Sequence, residues 1–232
     1  MLKYTMERRT IVLKTKFTKK DHTIAIVSVL IISIILNIYS LYKVSSYKYK
    51  LGQQSYNYIE EIRQRNESNM EILSKGLKDG NIKNEELLKL YKNYDIIAGD
   101  IIGLWQRYAS YSQKGLSFFN KTIDTNKAIE NDIHGQIKEY IISTLNNEMR
   151  NEQSKLALID EDKLCFEAMY NMSKKIYDYF NDFNDRVLQG STGEEKEKKV
   201  IKKHYWIDIL EGIYDISDEY VNIQWKIKTD DV

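Results

Sequence analysis

Hydrophobic and polar positions along the chain follow two different rules. From Thr23 to Tyr42 the sequence reads TIAIVSVLIISIILNIYSLY, twenty residues without a formal charge and apolar on every helical face. At about 1.5 Å rise per residue such a run crosses the ~30 Å hydrocarbon core of a bilayer. Ser28, Ser33 and Asn37 are its only strongly polar side chains, so lipid is a better solvent for it than a protein core. Beyond Tyr42 the apolar residues become periodic, the mark of helices packing in water.

The first periodic stretch carries Ile59, Ile62, Met70, Leu73 and Leu77 on one stripe, interrupted by Asn66. It continues the apolar helix and stops at Asp79-Gly80. Asn84 then offers an oxygen to the next helix's free amides, with Glu85 and Glu86 at the positive end of its dipole. That helix, over about 84–120, has the cleanest pattern: Leu87, Tyr91, Tyr94, Ile97, Ile101, Leu104, Tyr108, Tyr111, Gly115 and Phe118. A third stripe, starting near Asp124, steps by four through Ile129, Ile133, Ile137, Ile141, Leu145 and Met149, so it drifts and meets more than one neighbour. Asp160 is the next N-cap, followed by Cys165, Met169, Met172, Ile176, Phe180, Phe183 and Val187 on one face. Gln189 to Gly193 breaks the chain, and Ser191 or Thr192 with Glu194 or Glu195 forms a capping box. The last helix presents Trp206, Leu210, Ile213, Ile216, Tyr220, Ile223 and Ile227. No segment alternates as a half-buried strand does. The pattern predicts an all-α fold: one N-terminal transmembrane helix followed by a bundle of about five long amphipathic helices.

Composition sharpens this. The chain has no proline and only ten glycines in 232 residues, which suits helices running unbroken. The net charge of +1 is a sum of unlike parts. Residues 1–21 hold Lys3, Arg8, Arg9, Lys14, Lys16, Lys19 and Lys20 against Glu7 and Asp21, a net +5, whereas residues 43–232 hold 28 basic and 32 acidic residues, a net −4. Only Lys43, Lys48 and Lys50 follow the span before Arg63. Seven cations against three predict a cytoplasmic basic leader (1–22), a transmembrane helix (23–42) and an extracytoplasmic bundle (43–232). Tyr39, Tyr42, Tyr47 and Tyr49 cluster at the outer end, where a phenol buries its ring and keeps its hydroxyl wet. A cleaved signal peptide is the competing reading, because Ile24 to Leu36, the most apolar stretch, is thirteen residues long. No small-x-small site follows it cleanly and the basic leader is long, which favours a retained signal-anchor. Richness in Ile, Lys, Asn and Tyr with six Ala and seven Arg points to a low-GC bacterial genome.

Candidate chemistry is sparse, and no catalytic, cofactor-binding or metal residue is predicted. The single Cys165 cannot form an intramolecular disulfide, and its place on an apolar stripe makes it a small core residue. Among His22, His134 and His204, Glu130 and His134 are four apart, the wrong spacing for the Glu-x-x-His pairs of a di-iron bundle. Asp178, Asp182 and Asp185 form a row, and Asp160, Glu161 and Asp162 a run; calcium needs oxygens from a curved loop, so a solvated face and a helix N-terminus account for them. Gly190-Ser191-Thr192-Gly193 lacks the Gly-Lys-Ser/Thr ending of a phosphate loop and precedes two glutamates. The run Lys196, Lys198, Lys199, Lys202 and Lys203 is interleaved with Glu194, Glu195 and Glu197 and reads as a charge-laced helix start. No basic surface for nucleic acid is expected from a domain of net −4.

The expectation is therefore a non-catalytic, single-pass membrane protein whose partners are the lipid bilayer and either a protein or a second copy of itself, without cofactors. Trp105, Trp206 and Trp225 are candidate interface anchors, with core packing the favoured alternative. The alternative function is a membrane-tethered sensor that binds a small ligand in its bundle. A polar cavity with inward Asp or Arg favours the sensor; a dry core favours the interaction module.

Overall fold

The computed structural model describes residues 19–113 and 132–225. Its elements in chain order are α1 (Lys19–Asp79), β1 (Asn81–Lys83), α2 (Asn84–Gln113), α3 (Ile133–Arg150), β2 (Lys155–Ala157), α4 (Asp160–Arg186), α5 (Gly193–Lys202) and α6 (Tyr205–Asp218). The fold is all-α, as the periodicity predicts. Two compact units divide it, Met1–Ser46 and Tyr47–Val232, with residues of α1 in both.

In the first unit the large apolar side chains from Ile24 to Tyr42 are all exposed. Asn37 folds back on its own helix, donating from Nδ2 to the Ser33 carbonyl at 2.8 Å. A polar side chain satisfied within its own helix suits a surround that offers no hydrogen bonds.

In the second unit α1 contributes Ile59, Ile62 and Leu73 to the core, all 0–1% exposed, while Met70 and Leu77 are half-buried. The interruption at Asn66 is itself buried. Asn66 Nδ2 donates to the Ser173 carbonyl of α4 at 2.7 Å, so the amide cross-links two helices instead of weakening a stripe. Gly80, with φ +69°, ends α1 where a Cβ would be strained. β1 then pairs antiparallel with β2, Ile82 opposite Leu156, both buried. The ladder is extended by Asn84 N to Ser154 O at 3.1 Å and Leu158 N to Gly80 O at 2.9 Å. Three residues per strand are too few to register as alternation, which is why the pattern along the chain predicts no strand.

α2 packs along α3, and Tyr94, Ile97 and Leu104 of the one and Ile133, Ile137 and Ile141 of the other all lie in the core. α4 packs on α6, and α5 on α6. Gly115, Phe118, Asp124, Ile129, Ile227 and the leader through residue 18 lie outside the described residues.

Several expected details are corrected. Asn84 does not cap α2: its Nδ2 donates to Gln153 O at 2.8 Å, and Glu86 instead reaches back to the Lys83 amide at 3.1 Å. Asp160 lies inside α4 with φ 44°, after Ile159 as N-cap. Thr192 is the N-cap of α5 without a side-chain bond, and Ser191 Oγ turns to Leu188 O at 2.6 Å, so no capping box forms. α3 is capped by Asp132, which accepts from Gly135 N at 3.1 Å. Met149 and Val187 are 62% and 37% exposed, at helix ends where the stripes have run past the core. The last helix is two helices, broken where His204 adopts φ 60°, and α6 ends at Asp218, so Tyr220 and Ile223 follow it in turns.

Candidate functional site

Among the described residues, three places carry chemistry beyond packing: a polar layer within the bundle, the surroundings of His134, and the exposed apolar stretch of α1. The polar layer begins one turn after Asn66. Asn69, fully buried, accepts from Asn93 Nδ2 at 2.8 Å, and Arg65 reaches Asn93 Oδ1 at 3.4 Å while paired with Glu61. Further along α2, Arg107 lies over the Tyr58 ring at 4.2 Å and donates to Gly103 O at 3.1 Å. Asp100 completes this seam between α1 and α2. Burial, and next Glu61, push its carboxyl up to about 6, with Arg107 and Arg65 opposing the rise.

His134 sits at the start of α3, 4% exposed, against Tyr94. Ser217 Oγ donates to Ile213 O at 2.7 Å, so it accepts from His134 Nε2 at 3.1 Å. That assignment puts the ring proton on Nε2 and leaves Nδ1 as a buried lone pair with no protein partner among the described residues. Burial holds the imidazole down to about 4, so it is neutral at neutral pH. A cavity of about 10 Å3 adjoins it, lined by Ile101, Trp105, Leu210, Ile213, Tyr214 and Ser217. That volume fits about one water molecule.

The other candidates resolve into structure. Cys165 is buried in α4. His22 is exposed on α1, and His204 packs on Tyr111 at 5.0 Å, its pKa lowered by burial and by Lys48. Asp178 pairs with Lys174 at 2.9 Å, Asp182 pairs with Arg186, and Asp185 is exposed, the solvated face expected. Asp162 accepts from the Tyr140 hydroxyl at 2.7 Å. Gly190 to Thr192 form the turn that leads into α5, and φ is positive at Gly190 and at Gly193, the first residue of that helix. Among the described residues no three His, Cys, Asp or Glu side chains gather as a metal site.

Ser191 and Lys199 are brought together in a way the sequence does not announce, because the lysine also donates to Leu188 O at 3.2 Å and pairs with Glu195 at 2.9 Å. Lys199 thus has three partners in the turn, and Ser191 already donates to a carbonyl, so the pair secures the turn between α4 and α5. Trp105 and Trp206 are core residues, 5% and 0% exposed, and Trp225 is half-buried against Tyr140.

α1 is long and apolar enough to cross a membrane, and none of its most apolar window is buried. No family model, no curated protein and no solved structure matches the chain.

Proposed function

We propose that the chain is a single-pass membrane protein, N-terminus cytoplasmic, that displays its helical bundle on the outer face and works as a protein–protein interaction or scaffold module without catalysis. The observation that carries this reading is the run of exposed apolar side chains from Ile24 to Tyr42. A continuous apolar surface of that size is insoluble unless lipid covers it. Orientation rests on the seven cations of residues 1–21 against the three just beyond the span.

Interaction is supported by large apolar side chains that the bundle leaves on its surface. Leu88, Ile102, Met149, Ile159 and Leu164 remain exposed on the bundle and are available to a partner.

Impermeant amine labelling of intact cells tests the orientation: lysines of the bundle react and those of residues 1–21 do not, and the reverse pattern overturns it. Crosslinking in intact membranes tests the interaction, with capture of a partner or of a second copy supporting it. Recovery of monomer alone at saturating crosslinker overturns it.

A further inference from the structure

Charge on the bundle is segregated by partner. At the start of α5, Lys196 pairs with Glu60 at 2.6 Å, Lys198 with Glu194 at 3.0 Å and Lys199 with Glu195 at 2.9 Å. Lys202 and Lys203 at its end are exposed, and no carboxylate among the described residues lies within ion-pair distance of them or of Lys50. The expected charge-laced helix is therefore laced at its first turns only.

The direction of α5 decides where these cations go. Lys196 meets Glu60, Glu197 meets Gln53, and Ile201 packs on Gly52 so closely that a Cβ there would lie 3.0 Å from its Cγ2. Later residues of α5 thus meet earlier residues of α1, and the helix end points toward Lys48 and Lys50. Lys48 lies over the Tyr111 ring at 4.5 Å, and His204 packs on the same ring at 5.0 Å. Two chain segments without a carboxylate, 43–59 and 198–207, come together here. A domain of net −4 has gathered four cations, Lys48, Lys50, Lys202 and Lys203, at one place.

Lys48 follows Tyr42 by six positions, so chain connectivity alone tethers the cluster to the end of the span, where the anionic headgroup zone begins. We infer that Lys48, Lys50, Lys202 and Lys203 form a juxtamembrane collar that binds the phosphate headgroups of anionic phospholipids. The inference rests on the span reading and is independent of which side of the membrane the bundle occupies. Tyr47 and Tyr49, both exposed beside these lysines in the chain, suit the same interfacial zone.

The full chain in nanodiscs of phosphatidylcholine, with or without phosphatidylglycerol, tests it through site-resolved acetylation read by mass spectrometry. Phosphatidylglycerol lowers the reactivity of Lys50, Lys202 and Lys203 about fivefold each at low salt, and high salt restores it. Lys78, exposed and about 42 Å further along α1 by helical rise, keeps its reactivity in both lipids. The variant K202E/K203E loses the protection at Lys50 while behaving as wild type in phosphatidylcholine. Equal reactivity in the two lipids, with the chain incorporated in both, overturns the collar and leaves the span intact. Failure to incorporate in either disc overturns the span and the collar together.

Discussion

His134 offers the sharpest test of the interior. In the folded chain burial holds its imidazole down to about 4, while an unfolded histidine titrates near 6.5. Between those values the unfolded chain takes up a proton that the folded chain refuses. Stability from this residue is therefore fully present above about pH 6.5 and is lost as pH falls toward 4. At about 1.36 kcal/mol per pH unit, lowering the pH from about 7 to about 4.5 removes about 3 kcal/mol. Carboxylates titrate over part of the same range, so the comparator is His134→Gln, which keeps an amide donor for Ser217 and cannot be protonated. The assay is urea unfolding of the full chain in detergent micelles, followed by far-UV circular dichroism at both ends of that range. Wild type loses about 3 kcal/mol more than the variant on acidification. Parallel losses refute the reasoning, because they mean that the imidazole reaches solvent or an acceptor able to hold its proton.

Asp100→Asn has the opposite sign. The carboxyl is raised to about 6, so ionisation costs stability as pH rises from about 4 through 6. The variant is more stable than wild type by about 1 kcal/mol at pH 7, after discounting for solvent screening of a half-buried group, and equal to it at about pH 4. A thermal melt at the two pH values checks this, and a pH-independent difference contradicts it. Gly212→Ala probes the approach of α4 to α6: its Cβ would stand 2.2 Å from Tyr179 Cζ, whose hydroxyl donates to Asp208 O at 2.9 Å. The cost is about 1–3 kcal/mol by chemical denaturation, and Tyr179→Leu in the same chain recovers most of it. Strict additivity of the two substitutions would mean that the helices are not in contact there.

Helices were legible because their stripes are long. Leu87 to Tyr108, Ile133 to Leu145 and Cys165 to Phe183 each repeat at three or four residues over several turns, and the core follows them. The break at His204 was not legible, since Lys-Lys-His-Tyr contains neither glycine nor proline to announce it. Caps failed for a different reason. Asn84, Asp160 and Ser191 lie within two residues of helix starts, but tertiary acceptors or backbone geometry claimed their side chains. The polar layer was visible only as an interruption at Asn66. Its meaning depends on Ser173, 107 positions away, and no local pattern encodes that pairing. The apolar stretch of α1, by contrast, is fully local and could be read from composition alone.

The β1–β2 ladder joins parts of the chain that are made at different times. Lys155 is synthesised 72 positions after Lys83, an interval of roughly 4–14 s at ordinary ribosomal speeds of about 5–20 residues per second. For that time Ile82 and the free edge of β1 wait without their partner, while α2 and α3 are still emerging. An edge of three residues bounded by Asn81 and Lys83 is a poor template for a second nascent chain. The brevity that hides this strand from periodicity thus guards it during translation, and the far end of α1 is latched only once the chain has been made through α3 and β2.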